Sequence, residues 1–309
     1  MKASVPHIRI RAEAGFSLLR DGLNLSFYVR RSHRTIAQSV IRALDVYLQA
    51  VGPGAIDRFF DSDGFAQPLD DAEWTRIRKE LLEKPWSIVR LLDQAGHDDR
   101  YGVEYFGKPV DDPKLLGDPF GTGEPHALCA LGFWLPTEFL EEHGAERVRE
   151  LALALADPLP WCFGQVGFAF KGWTNLIGVT RMIRARCFRY PGMDNPDLSQ
   201  LSWKLGTRVR GPSWMTFLGQ PVLGELGGAE GLRARLSSPG TTVQALGGER
   251  AVVTLGAAPD AGDVEQGNTL PAYRELARVL EPWLFQDARD FGSDFPPEDL
   301  RRWERRFLD

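Results

Sequence analysis

The chain is 309 residues long, carries a formal net charge of −5, and is 43% hydrophobic, 26% charged and 11% aromatic. This composition excludes a disordered, collagen-like or low-complexity chain. No apolar run approaches the roughly 18 residues that a membrane-spanning helix needs, and the N-terminal segment lacks the apolar stretch of a secretory signal. We therefore expect a cytoplasmic protein.

The first part of the sequence predicts two strands followed by a helix. Strands are expected at 5–11 and 23–29, with Arg20-Asp21-Gly22 as the turn between them. Apolar residues then recur at helical spacing from 36 to 51. The glycines of Gly52-Pro53-Gly54 end this predicted helix.

The next segment predicts a helix, two strands and a loop. Acidic residues at 70, 71 and 73 suit the positive end of a helix, which we place over 71–83. Strands are expected at 87–92 and 102–106. The segment 111–126 is rich in glycine, proline and aspartate, which predicts a surface loop. We expect a single domain over 1–309 and keep an internal boundary within 111–126 as an alternative.

The second half of the sequence continues to mix strands and helices. Strands are predicted at 128–135 and 161–170, and a hairpin at 242–255 turns through Gly247-Gly248. Helices are predicted in five places: 136–155 (in two parts), 175–186, a short one near Leu232, 276–284 and 296–307.

The order of these elements predicts the α+β class. Strands occur in adjacent pairs as well as before helices, so we expect a mixed, largely antiparallel sheet with helices packed on it. The segments 23–51 and 127–155 each run from a strand into an amphipathic helix. A duplicated strand–helix unit is therefore a further hypothesis.

The sequence contains no pattern that predicts a catalytic, metal or cofactor site. It has neither GxxxxGK[ST] nor a GxGxxG after a strand, and no GxSxG elbow. His126 and Cys129 stand three residues apart, but a zinc site would also need Cys162 and Cys187, which lack the usual local ligand pairs. We predict no metal, no cofactor and three buried free thiols.

A basic stretch raises the question of nucleic-acid binding. Arg181 and Arg184 fall at helical spacing, but the next position of that stripe is Phe188. Phosphate binding needs a wider basic face, and the whole chain is acidic. We therefore predict that these arginines, with Arg186 and Arg189, form a solvated or ion-paired helix face.

One segment has a distinctive pattern of aromatic, glycine and proline positions. It reads RYPGMD at 189–194, LSWKLGT at 201–207, GPSWMTFLG at 211–219 and LGG at 226–228, and FWLP at 133–136 precedes it. This pattern resembles the type VI secretion immunity family, whose members give immunity to VRR-NUC nuclease effectors and which was formerly a domain of unknown function. The resemblance extends over roughly 18–284.

The resemblance implies a cytoplasmic immunity protein that is not an enzyme. Such a protein binds a co-encoded toxic effector, typically a nuclease, and holds it inactive; the family transfers no catalytic residues. The motif glycines Gly192, Gly206, Gly211 and Gly219 suit turns and close packing. Trp203 and Trp214 suit a core, and an interface role is the alternative for both.

We expect the effector to be bound by an acidic surface. Sixteen acidic and nine basic residues lie between 57 and 124. A nuclease presents a basic channel to nucleic acid, and a carboxylate-rich surface can occupy that channel. The candidate residues are Asp61, Asp63, Asp70, Asp71, Asp98, Asp99, Asp111 and Asp112.

Two other classes of protein stay open at this point. One is an enzyme with a dispersed hydrolase-type site at His97 and its neighbouring carboxylates. The other is a structural component of a secretion assembly, which predicts stable homo-oligomers. A homodimer is also open for the immunity protein.

Overall fold

The computed structural model describes residues 5–93, 100–112, 126–286 and 292–309. Within these residues the chain forms eleven strands and nine helices. The strands are β1 (Arg9–Arg11), β2 (Ser17–Val29), β3 (Arg58–Phe60), β4 (Ala66–Pro68), β5 (Ser87–Leu92), β6 (Gly102–Gly107), β7 (Cys129–Pro136), β8 (Phe163–Gly172), β9 (Met215–Leu218), β10 (Thr241–Ala245) and β11 (Ala251–Leu255). The helices are α1 (His33–Val51), α2 (Asp71–Glu83), α3 (Thr137–Ala156), α4 (Val179–Cys187), α5 (Leu198–Lys204), α6 (Val222–Glu225), α7 (Gly228–Arg235), α8 (Pro271–Leu280) and α9 (Pro297–Glu304).

All eleven strands belong to one sheet. Its order is β10-β11-β9-β8-β2-β7-β6-β5-β3-β4, and β1 pairs with the start of β2. Every strand pairing is antiparallel; two isolated bridges outside these pairings are parallel. The α+β class with a largely antiparallel sheet is thereby confirmed.

Alternation along the central strand β2 separates two faces of the sheet. Leu23, Leu25 and Phe27 point to the first face, where they join a core with residues of α1, α2 and α3. Tyr28 points to the second face and joins a separate core with residues of α5, α6, α7 and α8. Helices therefore cover both faces, as the long apolar strands require.

The two predicted strand–helix units lie side by side. β2 pairs with β7 over eight residues, from Gly22 opposite Pro136 to Val29 opposite Cys129. Each strand runs directly into a helix, and α1 packs against α3. The Tyr47 hydroxyl of α1 donates a hydrogen bond to the Trp134 carbonyl of β7 at 2.6 Å. The repeated arrangement is present, and its origin by duplication stays a prediction.

The turn predicted at Arg20-Asp21-Gly22 is wrong, because β2 runs through these residues without a break. Their charges are compensated instead of solvated. Asp21 is fully buried, where it forms an ion pair with Arg9, and it accepts a hydrogen bond from the Thr137 hydroxyl at 2.9 Å. Arg20 is paired with Glu138 at 2.8 Å. The real turn between β1 and β2 lies at 12–16, where Gly15 has a positive φ of 87°.

Other predicted boundaries differ less. α2 occupies 71–83 as predicted, and the helix expected over 175–186 begins only at Val179. The two parts expected within 136–155 meet at Gly144, whose φ of 79° interrupts the helix. Most of the predicted loop 111–126 lies outside the described residues; β6 and β7 on either side of it are paired neighbours. The single domain and the alternative boundary stay predictions.

Candidate functional site

The tip of the β3–β4 hairpin carries two of the predicted acidic residues, and they have different roles. The carboxylate of Asp61 accepts hydrogen bonds from the backbone amides of Asp63 and Phe65 and from the side chain of Gln67. These bonds, led by that of Gln67, hold the pKa of Asp61 below its ordinary value. Asp61 therefore builds the turn, whereas Asp63 is an exposed residue beside it.

The next pair stands at the start of α2. Asp70 is the N-cap residue, and its carboxylate accepts a hydrogen bond from the Glu73 amide at 2.8 Å. Asp71 is the first residue of the helix and is exposed. A partner could therefore bind the Asp71 carboxylate without disturbing the cap of α2, whereas a contact with Asp70 would compete with that cap.

The remaining candidates lie away from this group. Asp111 follows β6 and exchanges hydrogen bonds with Ser32, the residue that precedes α1. Asp112 is half-buried beside it. Asp98 and Asp99, with His97, lie outside the described residues. The continuous acidic surface expected from these eight residues therefore stays a prediction.

A cavity of about 270 Å³ opens on the second face of the sheet, close to the β3–β4 hairpin. Four aromatic residues line it: Phe60 of β3, Trp134 of β7, Phe170 of β8 and Trp173 after β8. β8 and β3 are separated by four strands, yet the rings of Phe60 and Trp173 lie 6.4 Å apart. The segment that follows β8 therefore crosses the sheet face and closes one side of the cavity.

Charged groups line the floor of the same cavity. Lys171 donates a hydrogen bond to the Tyr101 carbonyl at 3.2 Å, and its ammonium lies 5.7 Å from the centre of the Trp134 ring. Arg90 lies 3.9 Å from Glu104 on the neighbouring strand. A side chain at Gly102 would approach the Lys171 ammonium to 3.3 Å, so this glycine leaves the room that the lysine occupies.

All three cysteines are free thiols as predicted; Cys129 and Cys187 are buried, whereas Cys162 is half-buried, so its predicted burial is wrong. The described residues contain no group of three His, Cys, Asp or Glu that could hold a metal ion. Each thiol bonds to a backbone carbonyl: Cys129 to Arg31, Cys162 to Tyr28 and Cys187 to Arg184. Burial raises the pKa of Cys162 to about 11 and that of Cys187 to about 12. In the described part of the chain, no helix is both long and apolar enough to cross a membrane.

The predicted ion-paired arginine face is confirmed for three of its four members. Arg181 pairs with Asp294 at 2.7 Å, Arg184 with Asp299 at 2.5 Å, and Arg189 with both Asp263 and Glu265. These carboxylates neutralise the face that phosphate groups would need.

Comparison with known proteins decides the family. A family model described as type VI immunity for VRR-NUC (TsiV) matches residues 39–307, which is most of the chain. The chain belongs to this family. Among the solved structures, the Pseudomonas aeruginosa T6SS protein PA0821 is similar, with a TM-score of 0.77 and 19% sequence identity. The match covers 98% of this chain and 88% of that one, and at this identity it shows a shared fold. No curated protein matches the chain.

The motif residues of this immunity chain have mainly structural roles. A side chain at Gly192 would come within 2.1 Å of the Asp260 carbonyl, and one at Gly219 within 3.0 Å of the Trp161 carbonyl. Gly206 has a positive φ of 58°. Gly211 is different, because a side chain there would meet nothing within 4 Å. Trp214 is buried in the core.

The same motif places an ion pair inside the immunity protein. Asp194 and Arg210 are buried, with 2.6 Å between the carboxylate and the guanidinium. Burial alone would raise the pKa of Asp194, but Arg210 and Arg306 outweigh it and hold that pKa below its ordinary value. The side chain of Gln165 in β8 also donates to Asp194. This network joins the motif segment to the sheet.

Lys108 is a buried charged residue that the sequence analysis missed. It follows β6 directly, and its ammonium donates to the Ser202 hydroxyl at 2.5 Å and to the Leu128 carbonyl at 3.3 Å. The ammonium also lies 4.7 Å from the centre of the half-buried Trp203 ring. Burial lowers the pKa of Lys108 to about 8. The contact fixes α5 on the sheet.

Proposed function

We propose that this protein binds a co-encoded type VI effector nuclease and neutralises it as a stoichiometric inhibitor. The observation that carries the proposal is the match of residues 39–307 to the family of type VI immunity for VRR-NUC. An inhibitor of this kind acts by occupying a surface of its partner, so it needs contact residues and no catalytic ones. We also place it in the cytoplasm, where an incoming nuclease would reach nucleic acid.

The proposed contact surface is the β3–β4 hairpin with the start of α2. Asp63 and Asp71 are exposed there, and neither side chain is used in the local turns and caps that occupy Asp61 and Asp70. A nuclease must attract phosphate groups, so its channel is basic. Carboxylates at this surface would attract the channel and compete with nucleic acid for it.

Co-expression with the product of the adjacent gene tests the proposal. We expect the neighbour alone to kill a bacterial host, the pair to survive, and the two proteins to purify as a complex with equal copy numbers. Purified immunity protein should reduce the nuclease activity in proportion to the amount added, with none left at one equivalent.

Two outcomes would contradict this proposal. Loss of nuclease activity at a small fraction of one equivalent would indicate an enzyme that modifies the effector many times. A neighbour that kills despite co-expression and never co-purifies would remove the inhibitor role for that pair.

A further inference from the structure

The cavity on the second face of the sheet is surrounded by large apolar side chains that water reaches. Ile177, in the segment that closes the cavity, is 99% exposed, and Ile88 of β5 is 66% exposed. Arg90, which lines the cavity, lies two residues beyond Ile88 on the same face of β5. Ile177 lies in the chain between Thr174 and Thr180, which also line the cavity. We call the cavity together with the two flanking isoleucines the aromatic cleft: Phe60, Ile88, Arg90, Trp134, Trp173 and Ile177.

Helices cover the other half of the second face in the described part of the chain. Residues of α5, α6, α7 and α8 bury the opposite half of the face around Tyr28 and Phe163. α5 packs on β6 and β7, and Ile88 lies on β5 beyond it. A contiguous apolar region left open beside a packed core is typical of a protein interface.

The side chains of the aromatic cleft are those that dominate binding energy in protein complexes. Tryptophan and arginine are enriched among such residues, which tend to line pockets near the centre of an interface. Trp134, Trp173 and Arg90 have this arrangement around the cavity. Its volume of about 270 Å³ gives room for a large side chain of a partner.

The charge at the edge of the aromatic cleft indicates the chemistry of that partner. Phe60 is followed directly by the hairpin that carries Asp61 and the exposed Asp63. An apolar centre with a polar rim is the usual anatomy of an interface, and here the rim on the hairpin side is acidic. The cavity lining itself is balanced, with Arg90 and Lys171 beside Glu104 and Asp197. The hairpin therefore sets the sign of the rim, and the complementary surface is a basic one that carries a large apolar side chain.

We propose that the aromatic cleft anchors the effector: it receives one aromatic or large aliphatic side chain from a basic segment of the nuclease. This inference rests on the proposed function, because the partner is the effector nuclease. The anchored side chain slows dissociation of the complex, whereas the acidic rim speeds its association.

Binding of the purified product of the adjacent gene, measured by surface plasmon resonance, tests the anchor through both the Kd and the dissociation rate. We expect Trp173→Ala and Ile177→Asp to raise the Kd at least about tenfold, mainly through faster dissociation. Trp173→Phe should retain most of the affinity, because an aromatic ring remains against Phe60. Ile177→Asp is the decisive variant, since a side chain that is 99% exposed contributes little to the fold.

The matched control is Val264→Asp, which makes the same kind of change at a residue that is 46% exposed and lies outside the aromatic cleft. We expect it to bind like the unaltered protein. If Trp173→Ala and Ile177→Asp both bind the effector with the affinity of the unaltered protein, that result would contradict the role of the aromatic cleft as an anchor and would leave the proposed function standing. If the unaltered protein fails to bind, both proposals fail. A concentration-dependent homodimer that Ile177→Asp dissolves without loss of effector binding would also overturn the cleft, in favour of self-association.

Discussion

At the scale of single residues, the interior contains two kinds of buried charge. Asp194 has a buried counter-ion in Arg210, so the charged form is stabilised where it lies. Lys108 has only neutral hydrogen-bond acceptors in Ser202 and Leu128, and burial dominates its pKa. A buried charge without a counter-ion is costly, so the two residues should respond differently to pH.

Lys108 predicts a stability that rises with pH in the alkaline range. Its pKa is about 8 in the folded chain and 10.5 as the ordinary value, so between these values the unfolded chain binds more protons. The folded protein should then gain up to about 3 kcal/mol relative to Lys108→Met as the pH rises from about 7 to 10.5. Denaturant unfolding of both proteins across this range measures the gain. A difference between wild type and Lys108→Met that stays constant with pH would refute the assignment.

At the scale of elements, local sequence patterns predict the bounds of an element correctly when the partners of its polar groups lie in the same short segment. α2 begins and ends where the sequence places it, because Asp70 caps the first turn within the same short segment. β2 is the opposite case. Its charged residues Arg20 and Asp21 read as a turn, but Glu138, Thr137 and Arg9 compensate them from elsewhere in the chain.

Alanine substitutions at the start of α2 separate the capping residue from its exposed neighbour. Asp70→Ala removes the acceptor of the Glu73 amide and should lower the free energy of unfolding by about 1 kcal/mol. Asp71→Ala loses only a favourable charge near the helix start and should lower the free energy of unfolding by a smaller amount, roughly 0.3–1 kcal/mol at most. Urea denaturation compares the two. Equal losses would mean that Asp70 is not the cap.

At the scale of the whole molecule, one sheet separates two packed cores, and the described residues leave one end of its second face open. That end combines the aromatic cleft with the acidic β3–β4 hairpin, so apolar and charged contacts would meet a partner at the same place. The ion-paired arginines around α4 are engaged with carboxylates of the fold itself. The acidic rim should therefore mainly increase the rate of encounter with a basic effector.

Charge reversal on the β3–β4 hairpin and at the start of α2 tests whether the acidic residues act on association. Asp63→Lys combined with Asp71→Lys should slow association with the effector about tenfold at low salt and have little effect on dissociation. The dependence of the association rate on salt should weaken in the same variant. Asp157→Lys with Glu249→Lys makes the same change in net charge at exposed residues elsewhere. If stopped-flow measurements show the same decrease of the association rate in both variants, net charge alone determines that rate.

The sequence by itself determined the class of fold, most element positions and the family. Those features depend on local signals: apolar periodicity, helix caps, glycine turns and the aromatic pattern from 189 to 228. It could not determine that Asp61 and Asp111 are used within the fold, since their hydrogen-bond partners follow from backbone geometry.

Only the tertiary structure decided where the open surface lies. The aromatic cleft joins residues of four separate segments, and Phe60 meets Trp173 although 113 positions separate them in the chain. Lys108 likewise became a buried charge only when α5 packed over it. Side-chain burial depends on which elements meet across the sheet, and single-residue patterns carry no information on those long-range pairings.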